Sequence, residues 1–216
     1  MNNSNQVRVT RKTLFHSSRA KWMLMFCILA LVFIILYLPL FYQNVIGPKP
    51  GILMHDVVLN ALRPINFSIP IFTLIYLTIL HTFLTNLRYP VKLLLGLCVY
   101  LAVSLLRMLA MYIITFEPPQ DMILLIDPVS SHFYPDAGFA KDLFFSGHIS
   151  TLTLMVLLEK DRIIKWIKIV ATTIVGIFLA WQHVHYTLDL LVAPFITWAV
   201  YRLCYHWLLT SSKNID

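Results

Sequence analysis

The stretch His185-Tyr186-Thr187-Leu188-Asp189 carries an imidazole and a carboxylate at a spacing that a helix would place on one face. A carboxylate that holds one ring nitrogen of a histidine fixes its tautomer and leaves the other nitrogen free to attack or bind. Many helices carry such a pair without using it. A functional role for this pair is supported by an upstream segment, Asp142-Leu143-Phe144-Phe145-Ser146-Gly147-His148. Together the two segments predict the centre of a functional site.

The composition is that of an integral membrane protein. Of the 216 residues, 59% are hydrophobic and 12% are charged, and the mean hydropathy is +0.76. An average soluble domain has about half of its residues apolar and about a quarter charged. Ionisable side chains at membrane depth are costly, which favours a functional interpretation of the histidines and carboxylates in the two segments.

Six apolar stretches predict an all-α fold, a six-transmembrane-helix bundle. They comprise 22–42, 67–84, 91–116, a helix beginning near Ser146, a helix ending near Gln182, and 187–209. A longer loop is expected at 117–141. The predicted domains are a basic cytoplasmic tail at 1–21, a catalytic membrane domain at 22–209 and a cytoplasmic tail at 210–216.

The basic residues orient this bundle. Besides five in the N-terminal tail, the side of the N-terminus carries Arg88, Lys92, Lys160, Arg162, Lys165, Lys168 and Lys213. The other side carries Lys49, Arg63 and Lys141. This asymmetry predicts cytoplasmic termini and puts the loops with His148 and His185 on the periplasmic or lumenal face. The net charge of +7 follows from this topology, so no nucleic-acid binding is expected.

The depth of the histidines is predicted by assuming a symmetrical hairpin between them. His148 and His185 are 37 residues apart, which puts the apex near 166–167. Each histidine would then lie about 25 Å along a helix from the apex, close to the outer lipid headgroups. Arg107 reaches about 22 Å along its own helix by the same rise. The three side chains are therefore expected at one depth.

Three segments resemble motifs of a known enzyme family. They are Ala-Lys-Asp-Leu-Phe-Phe-Ser-Gly-His-Ile at 140–149, His-Tyr-Thr-Leu-Asp-Leu-Leu-Val-Ala at 185–193 and Arg-Met-Leu-Ala-Met-Tyr at 107–112. They are similar to Cys-Gly-Asp-x3-Ser-Gly-His-Thr, His-Tyr-Ser/Thr-x-Asp-Val-x2-Ala and Arg-x-x-Thr-Met-Tyr. These patterns are typical of the sphingomyelin synthase and inositol phosphorylceramide synthase-like family, within the type 2 phosphatidic acid phosphatase (PAP2) superfamily.

The chain also departs from the patterns of both branches. Phe178 and Leu179 stand where the phosphatase relatives place Ser-Arg, and Tyr100 stands seven residues before Arg107, where those relatives have Lys. The departures from the synthase pattern are Ala110, Glu117 and the pair Ala140-Lys141 before Asp142. The resemblance favours the synthase branch and leaves the headgroup and the acceptor open.

The resemblance implies that the six-helix bundle has a PAP2-like core. It also implies a lipid phosphotransferase that works through a phosphohistidine. His185, oriented by Asp189, attacks the phosphorus of a glycerophospholipid. His148 protonates the departing diacylglycerol and then deprotonates a ceramide-like acceptor. The expected substrate-binding residues are Arg107, Asp142, Ser146, Gly147, Glu117 and Tyr186. Expected partners are the phospholipid donor and ceramide or diacylglycerol.

Two alternatives stay open. One is a PAP2-type lipid phosphatase or phospholipase C-like hydrolase that uses the same histidines with water as acceptor. The other is a membrane binding or transport protein without catalysis, which the paired motifs disfavour because binding needs no such dyad. His183, two residues from His185, cannot share its helical face and is left outside the catalytic set.

No metal or other cofactor is expected. The histidines form no HExxH-type pair. Cys27, Cys98 and Cys204 lie inside apolar runs without ligand spacing, and are predicted to be buried thiols outside any disulfide.

Overall fold

The computed structural model describes the backbone of residues 18–128 and 140–213, with side chains for 21–128 and 140–208. Most of the predicted basic tail and the centre of the 117–141 loop lie outside these ranges. The helices are α1 Ser18–Phe41, α2 Val57–Asn60, α3 Ser68–Asn86, α4 Pro90–Ile113, α5 Gly147–Leu157, α6 Arg162–Trp181 and α7 Thr187–Lys213. A π-helical turn, Tyr42–Ile46, continues α1. The predicted all-α fold is confirmed, and α7 extends into the predicted C-terminal tail.

Within the described residues, five helices are long and apolar enough to cross a membrane: α1, α3, α4, α6 and α7. These helices fit an integral membrane protein. The expected six full spans are not confirmed, because α5 has 11 residues and rises only about 16 Å. That is about half the thickness of a bilayer's hydrocarbon core.

The hairpin between the two histidines is asymmetrical. α5 ends at Leu157, and the side chain of Asp161 caps α6 by accepting a hydrogen bond from the Ile164 N–H at 2.9 Å. The prediction of an apex near 166–167 was therefore wrong, since these residues lie inside α6. Asp161 is the N-cap of α6, and the sequence prediction did not take this helix start into account.

Lys168, assigned by sequence to that apex, is buried within the bundle. Its Nζ donates to Glu159 Oε2 at 2.7 Å and to Thr82 Oγ1 at 2.8 Å. The side chains of Lys168 and Glu159 are 4% and 10% exposed. The lysine therefore joins α6 to the preceding turn and to α3.

The asymmetry also corrects the predicted depth. The Leu158 carbonyl accepts a hydrogen bond from Lys92 Nζ at 3.1 Å, so the turn after α5 is level with the start of α4. His148 lies ten residues before Leu158, about 15 Å along a helix instead of about 25 Å. Arg107 starts further along α4, but helical side chains lean towards the N-terminus, which brings its guanidinium back towards α5.

The two basic turns share one end of the bundle. The Nζ atoms of Lys92 and Lys160 lie 5.5 and 5.4 Å from the ring centroid of Tyr89. Both lysines were assigned by sequence to one side of the membrane, and the structure brings them together at one end of the bundle.

The short helix α5 forms the centre of the core. It packs against α3, α4, α6 and α7. The fully buried apolar residues of this core include Ile71, Val99, Leu152, Val175 and Leu179. By contrast, α1 contacts mainly α4 and exposes large apolar side chains such as Trp22 and Phe26, each 66% exposed. The three cysteines are free thiols; Cys27 is buried, as predicted, whereas Cys98 and Cys204 are only partly buried.

Candidate active site

The junction of α5 and α7 brings the two predicted histidines together. The ring centroids of His148 and His185 are 6.0 Å apart, with the ring planes inclined at 66°. The Ser146 N–H donates to the Asp189 carbonyl at 3.3 Å, which ties the N-terminus of α5 to the first turn of α7. The two sequence segments therefore converge on one site.

His185 and Asp189 pair through the start of a helix. His185 precedes α7, whereas Asp189 lies in its first turn and accepts a hydrogen bond from the Tyr186 N–H at 3.1 Å. His185 Nδ1 lies 3.6 Å from Asp189 Oδ2, and both residues are buried. This separation exceeds a hydrogen bond, and catalytic hydrogen bonds often shorten when substrate binds. The carboxylate thus faces Nδ1 and leaves Nε2 as the reactive nitrogen.

Arg107 is held against the loop that leads into α5. Its Nε donates to the Phe145 carbonyl at 2.9 Å, and its Nη2 donates to Asp142 Oδ1 at 2.5 Å. Burial raises the pKa of Asp142, but the charge and hydrogen bond of Arg107, with smaller contributions from His185 and His148, bring that pKa below its usual value. The Asp142 carboxylate therefore stays ionised at neutral pH, and it holds the Arg107 guanidinium beside the histidines.

His148 opens the first turn of α5 and is partly exposed. The edge of its ring meets Phe72 at a centroid distance of 5.8 Å. Its Nδ1 is buried and has no hydrogen-bond partner within residues 21–128 and 140–208. No carboxylate in this part of the chain holds the ring as Asp189 faces His185, which leaves His148 suited to exchange protons with a bound molecule.

Ser146 and Gly147 lie at the N-terminus of α5, as the sequence predicts. The Ser146 hydroxyl is fully buried and accepts a hydrogen bond from the Ile149 N–H at 3.4 Å. It therefore caps the helix. Gly147 lies under the Arg107 guanidinium, so these two residues shape the site from beneath.

Glu117 and Tyr186 belong to a layer of loops over the helices. The Tyr186 hydroxyl donates to the Glu117 carbonyl at 2.9 Å and accepts from the Met54 N–H at 3.3 Å. The Glu117 carboxylate accepts from Lys141 Nζ at 2.9 Å and from the Gly51 N–H at 2.8 Å. The hydrogen bonds from Lys141 and Gly51 lower the pKa of Glu117. Both predicted binding residues thus have protein partners in this layer.

Gln182, which no sequence pattern indicated, joins three segments around the site. Its Oε1 accepts from the Phe67 N–H at 2.7 Å, and its Nε2 donates to Ser68 Oγ at 3.1 Å and to the Ile123 carbonyl at 3.2 Å. The residue is fully buried. A glutamine at the end of an apolar helix gives no local signal for partners 58 to 115 residues away.

Asp56 was also missed, and it holds the start of α7. Its carboxylate accepts from the Thr187 N–H at 2.7 Å and from Thr187 Oγ1 at 3.1 Å, while also capping α2. Burial raises the pKa of Asp56, but the hydrogen bonds from Thr187, Leu59 and Val58 together lower it below its usual value. Through Thr187 this carboxylate helps to fix the turn that carries His185.

Residues 141–207 match the family described as PAP2 superfamily C-terminal. The matched region contains Asp142, His148, His185 and Asp189, whereas Arg107 lies before it. The match supports the PAP2 superfamily and indicates lipid phosphatase or phosphotransferase chemistry. No curated protein matches the chain.

Proposed function

We propose that the protein transfers a phospho-headgroup from a glycerophospholipid to a ceramide-like acceptor through a phosphohistidine and releases diacylglycerol. The observation that carries this proposal is the pair of histidine rings 6.0 Å apart. Among the described residues, a buried carboxylate faces His185 and none faces His148 in the same way. Two histidines in unlike surroundings suit two different roles, a nucleophile and a proton carrier.

In the first half-reaction, Nε2 of His185 attacks phosphorus and forms the P–N bond. The bond between phosphorus and the diacylglycerol oxygen breaks, and His148 gives that oxygen a proton. Asp189 stabilises the positive charge on the His185 ring. Arg107 and the N–H groups at the start of α5 stabilise the phosphoryl oxygens.

In the second half-reaction, His148 takes the proton from the primary hydroxyl of the acceptor. The hydroxyl oxygen then forms a bond to phosphorus, and the P–N bond breaks. His185 and His148 return to their initial states, so the cycle needs no further reactant.

Apolar surroundings favour a lipid acceptor over water. Leu143 and Phe145, which precede His148, are 1% and 0% exposed, and Phe144 packs edge-on against Phe116. These side chains limit water beside the N-terminus of α5. The sequence predicted that both histidines lie close to the outer lipid headgroups, which would also favour a lipid acceptor. That prediction required a longer α5, so the depth of the histidines no longer supports a lipid acceptor.

Hydrolysis is the second candidate, because His148 is partly exposed beneath loops rich in polar groups. Water could replace the lipid hydroxyl in the second half-reaction, which would make the protein a PAP2-type lipid phosphatase or a phospholipase C-like hydrolase. The two candidates share the first half-reaction and differ only in the acceptor.

The test is a transfer assay with purified protein and a phospholipid labelled in its headgroup, with and without ceramide. We expect label to move to the sphingolipid and the release of free phosphorylated headgroup to fall as ceramide is added. Fast headgroup release that is indifferent to ceramide and to diacylglycerol would replace the transferase with the hydrolase.

The proposal includes an orientation. The distribution of Lys and Arg supports cytoplasmic termini and a periplasmic or lumenal active site. The acceptor lipid would then come from the outer or lumenal leaflet.

A further inference from the structure

The segment 51–58, between α1 and α3, presents an aliphatic face away from the rest of the protein. Four of its residues are 49% to 73% exposed: Ile52, Leu53, Val57 and Val58. The segment contains no Lys or Arg. Its one carboxylate, that of Asp56, is bonded to Thr187 and to the start of α2. Exposed apolar side chains grouped in this way mark an interaction surface.

The backbone of the segment is paired on its other side, towards the protein. The Ile52 N–H donates to the Thr115 carbonyl at 2.9 Å, and the Ile52 carbonyl accepts from the Glu117 N–H at 3.0 Å. The Val58 N–H donates to Asp56 Oδ1 at 3.0 Å. Backbone groups in an apolar environment need partners within the protein. These hydrogen bonds therefore suit a segment whose outer side meets lipid.

The segment lies where three long apolar helices reach one end of the bundle. It follows the π-helical turn that continues α1 to Ile46, and it precedes α3, which begins at Ser68. Ile52 also pairs with Phe116, three residues beyond the end of α4 at Ile113. All three helices are long and apolar enough to cross a membrane. The segment is therefore at a membrane boundary, at the end of the bundle that holds the histidines.

The aliphatic face continues a surface that α4 exposes to lipid. Ile113, the last residue of α4, is 65% exposed, and Ile114 is exposed as well. Because Ile52 bonds to Thr115 and pairs with Phe116, it lies beside this end of α4. The lipid around α4 thus extends to the segment. Apolar faces of this kind settle at the boundary between headgroups and acyl chains.

The inner side of the segment holds the turn that carries His185. The Asp56 carboxylate accepts from the Thr187 N–H at 2.7 Å, and the Met54 N–H donates to the Tyr186 hydroxyl at 3.3 Å. Tyr186 and Thr187 directly follow His185 in the chain. A shift of the segment would therefore be passed to the turn.

We propose that the segment 51–58 inserts its aliphatic face into the adjacent leaflet and thereby sets the position of the His185 turn relative to the lipid headgroups. Leu53 and Val57 would contact acyl chains, and their sequence neighbours Met54 and Asp56 hold the turn. The partner is the bilayer itself, since the aliphatic side chains carry no group that selects a headgroup. The membrane contact is independent of the proposed function, whereas its consequence for His185 rests on that function.

The first test measures the depth of the segment. A nitroxide is attached to Leu53→Cys or Val57→Cys in a protein whose native cysteines are replaced by alanine. The protein is placed in vesicles of phosphatidylcholine, phosphatidylethanolamine and phosphatidylglycerol. Oxygen concentrates in the bilayer and a nickel chelate stays in water, so collisions with each reagent report the depth of the nitroxide. We expect frequent collisions with oxygen and few with the chelate at both positions.

Gln120→Cys is the control, because Gln120 is an exposed polar residue of a neighbouring loop. Its nitroxide should collide freely with the chelate. Equal access of the chelate to Gln120→Cys and Val57→Cys would overturn the membrane contact. Exclusion of both reagents from Val57→Cys would overturn it too, since it would mean that protein, such as a second copy of the chain, covers the face.

The second test measures the link between the segment and the catalytic turn. Val57→Asp introduces a carboxylate that the leaflet excludes, and it leaves Asp56 and Met54 in place. We expect the nitroxide at Leu53→Cys to become accessible to the chelate. The rate of diacylglycerol release in vesicles should fall by about tenfold or more, because a misplacement of about 1 Å costs up to a hundredfold in rate. Val57→Thr, which has nearly the same shape without the charge, should keep both the depth and the rate.

The same rates are measured in micelles of short-chain phospholipids with the same headgroups, where no leaflet fixes the segment. Val57→Asp should lose little activity there. An equal loss in vesicles and micelles would assign the effect to the fold, and an unchanged rate in vesicles would separate the segment from the turn; either result overturns the positional role. Because the nitroxide reports depth without turnover, a wild-type protein that released no diacylglycerol would contradict the proposed function and leave the depth result intact.

Discussion

The guanidinium of Arg107 lies directly against the Cα of Gly147, at the point where α5 begins. A Cβ at position 147 would come 2.3 Å from Nη1 and 2.5 Å from Cζ of Arg107. No side chain can occupy this position without moving the arginine. The glycine therefore allows α4 to deliver a positive charge to the N-terminus of α5.

Gly147→Ala should displace the guanidinium and lower the transfer rate while leaving the fold intact. The group that must move is the end of a flexible side chain, so the backbone need not shift. A displacement of about 1 Å at a catalytic charge lowers the rate by roughly a hundredfold. The measurement is initial transfer rate together with the melting temperature.

Gly176→Ala is the matched control, since a Cβ there would meet Ile149 Cδ1 at an ordinary 3.6 Å. It should keep the rate and hold or slightly raise the melting temperature. Equal activity in the two variants would argue against a role for the position of Arg107.

Replacing His185 and replacing His148 should impair the reaction in different ways. His185→Ala should abolish both the phosphorylated intermediate and turnover. His148→Ala should slow release of diacylglycerol, and least with a donor whose leaving group needs no proton. The amount of phosphorylated protein after an acid quench, measured together with the transfer rate, distinguishes the two variants. Substantial turnover in His185→Ala would reject it as the nucleophile.

Asp189→Asn should lower the rate by about 10⁴-fold, as for orienting carboxylates in other histidine sites. Asparagine can still accept from the Tyr186 N–H, so the start of α7 is preserved. A loss of rate with an unchanged melting temperature is the expected signature. A parallel loss of both would mean that Asp189 acts only as a helix cap.

The Arg107–Asp142 pair should make the stability of the fold depend on pH. Because the folded-state pKa of Asp142 is lowered, its ionised form stabilises the fold at and above the unfolded pKa of about 3.9. That stabilisation is lost as pH falls from there through the folded value. Asp142→Asn should therefore melt earlier than wild type at neutral pH, and the gap should narrow below about pH 4. A gap independent of pH would contradict the ionic role.

Lys168→Met should destabilise the bundle by up to about 3 kcal/mol, because it leaves the partly buried Glu159 carboxylate without its main counter-charge. Lys165→Met, one turn earlier in α6, is the matched control and should have little effect. The double variant Lys168→Met/Glu159→Gln should recover part of the loss. Thermal unfolding in detergent measures the stability of all three variants. An unaltered melting temperature in Lys168→Met would show that the Lys168–Glu159 pair does not stabilise the bundle.

The members of the proposed catalytic cluster could be predicted to lie together because their sequence signals are local. Spacing within two short segments identified His148 and His185, and the third resembling segment supplied Arg107. The proximity of Asp189 to His185 was predicted as well, although the pair forms at a helix start instead of along a helical face. Signals of this kind lie within a few neighbouring residues, so they can be recognised in the sequence.

The depth of the site could not be predicted, because it depends on where α5 ends. Lys168 looked like a surface residue until the structure paired it with Glu159. Gln182 and Asp56 escaped notice for a related reason, since their partners are distant in the chain. Buried polar contacts between remote segments leave no periodic pattern in a sequence.

The brevity of α5 has a consequence for biogenesis. An insertion signal needs about twenty apolar residues, and α5 has 11. It therefore depends on α3, α4, α6 and α7 to enclose it, and His148 reaches His185 only when they do. A newly made chain would remain catalytically silent in the membrane until the bundle had closed, so that a half-assembled enzyme could not attack the lipids around it.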